Sequence, residues 1–205
     1  MQMRLSSAIL AIAAIIGSGC TRASAQTDVG LSLYGSFSGT TDQNGVQQSP
    51  AAAAGGIFEL RHIRNPILGF EGTYSYNRAN QRYKCDSVSC GDITLATVQA
   101  DAHEVTVDWV PSIKVLNLRP FGVLGVGGLF HVPQESNPPG IATKTSTQVV
   151  YVYGAGLDIT VIPHFGLRFQ YRGNLNKPPD VVDLYTSADK FTHTAQPMAG
   201  IFFRL

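Results

Sequence analysis

Hydrophobic and polar residues alternate with a period of two along most of the chain after residue 26. Successive side chains of a strand point to opposite faces, so each such stretch predicts a strand with one apolar and one polar face. From Gly166 to Gly173, Leu167, Phe169 and Tyr171 interleave with Arg168, Gln170 and Arg172. The pattern predicts strands near 28–38, 53–62, 66–77, 100–110, 119–132, 147–161, 165–175 and 193–205, with no sustained helical period between them. In the first, Leu31, Leu33 and Phe37 oppose Ser32, Tyr34 and Ser36; in the fourth, Val105, Val107 and Trp109 oppose Glu104, Thr106 and Asp108. The fifth is glycine-rich and apolar on both sides.

The connections between these stretches hold 14, 3, 22, 8, 14, 3 and 17 residues, long and short in turn. Long ones are polar and rich in Gly, Pro, Asn and Ser; short ones are Ile63–Asn65 and Ile162–His164. An up-and-down barrel whose ends face different compartments produces this parity, with short periplasmic turns and long extracellular loops. A soluble sandwich has no reason to keep it.

Charge sorts the faces. The polar faces carry Glu59, Arg61, Glu71, Glu104, Asp108, Asp158, Arg168, Arg172 and Arg204, while the five lysines all fall in connections. A solvated face would use lysine freely. A confined interior favours arginine, whose planar fork holds two carboxylates and sheds water more readily than an ammonium. The nine residues are therefore expected to form a salt-bridged lumen, with the apolar faces outward. A turn at Ile162–His164 sets Asp158 opposite Arg168 as a central pair. Aromatics on the apolar faces sort into an outer group (Phe37, Tyr74, Tyr76, Tyr151, Tyr171) and an inner one (Trp109, Phe121, Phe165, Phe203). Two such girdles mark the interfaces of a spanning barrel.

The N-terminus reads as a removed leader. Arg4 precedes an apolar run from Leu5 to Ile16, too short to span a bilayer, and Ala23-Ser24-Ala25 offers a small-x-small cleavage site. A membrane anchor and lipidation at Cys20 are the competing readings. Residues 1–25 are thus expected to be a signal peptide and 26–205 one barrel domain. Without the leader the chain has 13 basic and 14 acidic groups, which argues against a nucleic-acid surface. Cys85 and Cys90 lie five apart in a polar segment of an exported chain, so a local disulfide is expected; half of a zinc site lacks a second ligand pair. No metal-ligand cluster, cofactor motif or dinucleotide fingerprint is present, because the glycine spacings of the Gly122–Gly128 run and Gly154-Ala-Gly156 do not match one.

The chain ends Met198-Ala-Gly-Ile-Phe-Phe-Arg-Leu205. Together with the alternation and loop rhythm, this ending resembles the small eight-stranded outer-membrane barrels of Gram-negative bacteria, the OmpA/OmpX-like group. The resemblance implies an all-β, eight-stranded antiparallel up-and-down transmembrane barrel in the bacterial outer membrane. It also implies that Gly200, Phe203 and Leu205 form the signal read by the barrel-assembly machinery; Met198 and a terminal Leu in place of Phe depart from the usual pattern. No peptidoglycan-binding domain is expected after Leu205.

An eight-stranded barrel is about filled by its own side chains. With Tyr34, Phe202 and the charges inward, no wide pore is expected. The leading expectation is a non-enzymatic structural or cell-surface interaction protein, whose partners are outer-membrane lipid and lipopolysaccharide, the assembly machinery and an extracellular ligand held by the loops. Two alternatives stay open. One is a lipid A acyl hydrolase or transferase using the rim histidines His131 and His193, although no His-x-Ser pair accompanies either. The other is a soluble lipocalin-like barrel with its apolar face around a ligand.

Overall fold

The structure, a computed structural model, describes residues 25–43, 45–85, 93–134, 142–182 and 190–205. The strands are β1 (Gln26–Ser38), β2 (Thr41–Gln43), β3 (Val46–Pro50), β4 (Ala53–Ile63), β5 (Gly69–Cys85), β6 (Thr94–Trp109), β7 (Leu118–Pro133), β8 (Ser146–Ile162), β9 (Phe165–Asn176) and β10 (Thr192–Arg204). Eight of them, all but β2 and β3, form a closed antiparallel barrel: the order β5-β4-β1-β10-β9-β8-β7-β6 is completed by pairing of β5 with β6. Closure removes the unpaired edges that an open sheet would present. Among the described residues no helix is long and apolar enough to cross a membrane; the crossing is made by strands.

The faces divide as the alternation predicts, with the apolar side outward. Leu31, Leu33, Val107, Leu167, Phe169 and Ile201 are exposed, whereas Glu59, Arg61, Asp108, Arg168 and Arg172 are each 0% exposed. A surface this apolar is unstable in water and stable in hydrocarbon, so the outward face is the lipid face. The start of β1 and the end of β10 meet at one rim, where the Leu205 amide donates to the Thr27 carbonyl. The short turns share that rim. In the turn Arg64–Leu68, the Asn65 carboxamide accepts from the amides of Ile67 and Leu68. Between β6 and β7, Leu116 adopts a left-handed φ of 56°.

Three details differ from the sequence expectation. The β8–β9 turn comprises Pro163 and His164, because Ile162 pairs with Phe165; a bulge at Val161 restores the register, and Asp158 still faces Arg168. The segment Arg78 to Gln99, expected as a loop, is largely strand: β5 and β6 stay paired from Gly69 to Cys85, past the band of lipid-facing apolar residues. Lys84 consequently lies in a strand, within this extension, rather than in a connection. On it β3 adds against β5 and β2 against β3, giving a four-stranded sheet that projects from the rim opposite the termini. Tyr83, Ala96, Val98, Val181 and Val182 pack into a small apolar core there. Residues 1–24, where the expected signal peptide and Cys20 fall, and Cys90 lie outside the described residues; Cys85 is disulfide-bonded.

Candidate functional site: the charged lumen and its two ends

The inward positions of β4, β5, β8 and β9 build the centre of the lumen. Arg61 donates through Nε to Glu71 at 2.6 Å and through Nη1 to Asp158 at 3.2 Å. Arg168 donates to both oxygens of Asp158, at 2.8 and 3.0 Å, and lies 3.4 Å from Glu71 and 3.3 Å from Glu59. Two guanidinium forks thus knit three carboxylates from opposite walls, the use for which arginine is suited and lysine is not. One layer outward, Arg172 reaches Asp108 at 2.9 Å and Glu104 at 3.4 Å, and Asn174 donates to Glu104 at 2.6 Å. One oxygen each of Glu59, Glu71 and Asp108 has no hydrogen-bond partner among the described residues.

Aromatic rings seal the network on the side of the termini. The Arg61 guanidinium sits 4.0 Å above the ring of Phe121, and Arg168 lies 5.5 Å from that ring and 5.4 Å from Phe202. Phe121 was expected in the inner lipid-facing girdle; it is 5% exposed and points inward, because it precedes Val123 and Gly125 on the inward phase of β7. Arg204 stands apart from the central network, half-buried at the terminal rim and 3.6 Å from Asp28. Asp28 and Arg119 are lumen members that the charge sorting passed over: Asp28 is 1% exposed, and Arg119 donates to Gln26 at 2.6 Å. Each is the first residue of the stretch the alternation predicts, with no apolar position before it in that stretch to mark its face.

Glycines make room for these side chains. A Cβ on Gly125 would collide with the Asp108 carboxylate, one on Gly30 with Glu59, and one on Gly156 with the Phe121 ring. These close approaches are spread around the wall: Gly30 lies in β1, Gly156 in β8, and only Gly125 in the glycine-rich fifth stretch.

Above the charges the lumen wall is largely neutral, with Glu104 the one carboxylate that still lines it among the described residues. A cavity of about 60 Å³ is lined by Ser36, Asn77, His131, Asn174, Asn176 and Thr194, among others, and roofed by Gln48, Pro178 and Pro179. That is room for roughly four to six water molecules. Gln48, from β3, donates to the Pro179 carbonyl at 3.2 Å and tethers the roof. The rim histidines diverge: His131 is buried within this cavity, whereas His193 faces outward with its Nε2 2.9 Å from the Tyr153 hydroxyl. Outside, above the tyrosine girdle, Asp101 accepts from Arg78 at 2.6 Å, from Tyr76 at 3.0 Å and from Gln134. The Arg78 hydrogen bond holds the Asp101 carboxyl below its usual range.

An apolar belt outside, a closed eight-stranded wall and charges within define an integral outer-membrane β-barrel protein. The sequence matches the family model of the outer membrane protein beta-barrel domain over residues 11–194, and the chain belongs to that family. Among solved structures, Neisserial surface protein A is similar at 12% identity and a TM-score of 0.56, covering 86% of this chain and 96% of its own. OprG from Pseudomonas aeruginosa is similar at 10% identity and a TM-score of 0.54, covering 89% of this chain and 96% of its own. Identities this low carry the fold alone. No curated protein matches the sequence.

Proposed function

We propose that this outer-membrane protein is a filled-barrel anchor that presents a β-sheet platform outside the cell, and that it neither conducts through a wide pore nor catalyses a reaction. The observation that carries this reading is the lumen: six buried carboxylates, three buried arginines and the rings of Phe121 and Phe202 fill it. The platform consists of β2, β3 and the outer halves of β5 and β6, steadied by the disulfide at Cys85, for which Cys90 is the partner the spacing suggests. Lipopolysaccharide, an extracellular ligand and, during biogenesis, the barrel-assembly machinery are the partners this reading names. In it, residues 1–25 are a cleaved signal peptide, and Gly200, Phe203 and Leu205 serve as the assembly signal; all three lie in β10 or just after it, next to the seam with β1.

A lipid A hydrolase is disfavoured by the placement of the histidines. His193 meets the hydroxyls of Tyr153 and Tyr171, at 2.9 and 3.4 Å, with no serine or carboxylate bonded to it among the described residues. A catalytic imidazole needs a nucleophile and an orienting partner. A lipocalin-like binder would turn its apolar face inward, and here that face is outside. The test is envelope fractionation with gel migration before and after boiling. Recovery in the outer membrane with a faster-running unheated band supports the reading, together with single-channel traces lacking steady conductance. Stable open-channel currents of porin size would overturn it.

A further inference from the structure

At its outer end the lumen holds more negative charge than positive. Glu104 and Asp108 are both buried, and among the described residues a single arginine, Arg172, makes ion-pair contact with either. Arg172 sits closer to Asp108, at 2.9 Å, than to Glu104, at 3.4 Å. Two ionised carboxylates around one guanidinium leave one negative charge unmatched. Glu104 is the member that borders the cavity roofed by Gln48, Pro178 and Pro179. A carboxylate sealed from bulk water and half served by a guanidinium gains from a counter-ion.

The cavity wall beside Glu104 supplies neutral oxygen atoms. Asn174 is 2% exposed; its Nδ2 donates to Glu104 at 2.6 Å, and its Oδ1 has no hydrogen-bond partner among the described residues. Ser75 stands directly across the β5–β6 register from Glu104, is buried, and lines the same cavity. A carboxylate, a carboxamide oxygen and a hydroxyl are hard oxygen ligands, the kind that alkali and alkaline-earth ions take. Charge chooses between the two. Calcium sites gather about six to eight oxygens, several of them from carboxylates. This wall offers one carboxylate and otherwise neutral groups, which suits a single positive charge. The volume of about 60 Å³ holds an ion with a few of its waters.

We propose that a monovalent alkali-metal cation, sodium or potassium, binds in this outer cavity on Glu104 and Asn174, with Ser75 and water completing its shell. Its way in is from the outer rim. It is held and not conducted, because the guanidinium groups of Arg172, Arg168 and Arg61 repel it from the lumen beyond. The site rests on the filled-barrel reading above and adds a resident ion to it.

The test uses the full chain folded in detergent micelles at about pH 8, where His131, the other titratable group on the wall, is neutral. Thermal unfolding is followed in choline chloride and with sodium, potassium or calcium chloride exchanged in at constant ionic strength. Sodium or potassium is expected to raise Tm by about 3–6 °C at ten times its Kd, and the larger rise names the ion. Glu104→Gln should abolish the rise, and Asp101→Asn, outside the barrel, should leave it intact. A second measurement needs no variant. Wild-type crystals grown in sodium chloride, or in thallous acetate as a heavy stand-in for potassium, should hold the ion between Glu104 and Asn174. Thallium is read from its anomalous signal and sodium from its short oxygen contacts. Equal Tm in choline and both alkali chlorides, a rise that persists in Glu104→Gln, or water alone in the cavity of both crystals would overturn the proposal. So would a calcium rise that exceeds the alkali rise and vanishes in Glu104→Gln. Single-channel recording separates the two levels. If the barrel is silent and its Tm ignores the cation, the ion site alone fails; steady sodium or potassium currents would sink the filled-barrel reading with it.

Discussion

Arg168 touches three carboxylates, and that multiplicity decides what its removal does. Arg168→Leu leaves Glu59 without a guanidinium and Asp158 with Arg61 alone, so a loss of about 3–5 kcal/mol is expected from urea unfolding in lipid or detergent. Asp158→Leu/Arg168→Leu should recover only part of that loss, because Glu59 stays buried and Arg61 loses a partner. Identical midpoints for the single and double variants would show that the two residues are not coupled. Glycine substitution tests the same network from its wall. Gly125→Ala drives a methyl into the Asp108 carboxylate and should destabilise by about 1–3 kcal/mol, whereas Gly72→Ala, facing open space, should be near neutral. Outside the membrane, Asp101 brings a pH dependence. Its carboxyl is held low by Arg78, so its contribution is present above the unfolded carboxylate pKa near ~4 and is lost as pH falls through the lower folded value. The difference in Tm between wild type and Asp101→Asn should be constant at neutral pH and close below about pH 4; a difference that persists in stronger acid would assign Asp101 no ionic role.

At the scale of elements, strand positions in the membrane were legible because two environments act on one backbone. Lipid selects apolar residues on alternate positions and the lumen selects polar ones, so the period of two is strong wherever both are present. Where β5 and β6 leave the bilayer, hydrocarbon no longer selects apolar residues on the outward face, although the other face packs on Val181 and Val182. Asn77 to Lys84 is polar apart from Ala79 and Tyr83, and reads as loop although its backbone stays paired. A local signal did exist for the β2–β3 hairpin: Asn44-Gly45, with Gly45 at a left-handed φ of 73°, is the dipeptide suited to a tight turn. Phe121 was misplaced for a different reason. In a stretch apolar on both sides, hydrophobicity cannot tell a lipid-facing ring from one lying under a guanidinium. Among the candidate residues, the charged positions of β4, β5, β6, β8 and β9 could be read because each interrupts an apolar strand; Asp28 and Arg119, at strand starts, interrupt nothing. The turns offer a test of local strain. Leu116 is 87% exposed with a left-handed backbone that costs an ordinary side chain about 1–2 kcal/mol. Leu116→Asn should therefore stabilise by about 0.5–1 kcal/mol, read as a raised urea midpoint, and a lowered midpoint would mean that the side chain itself is needed.

For the whole molecule, the barrel is a wall in the membrane with a different structure at each end. The terminal rim is closed by short turns and the rings of Phe121 and Phe202, and the outer rim by Gln48, Pro178 and Pro179 over a small, largely neutral cavity. What extends into the medium is the sheet, and that is where an encounter with another surface would take place. The charged lumen also governs the order in which the barrel can be made. Arg61 and Asp158 are 97 positions apart, as are Glu71 and Arg168, and no single hairpin brings either pair together. Loop-closure entropy delays contacts of that span until neighbouring hairpins have joined. A half-wrapped sheet would meanwhile hold ionised side chains next to hydrocarbon without their opposite numbers. Intermediates that are inserted but unclosed are for that reason expected to be scarce, and closure of β1 onto β10 to be abrupt: the network would act as a latch engaged only in the finished cylinder.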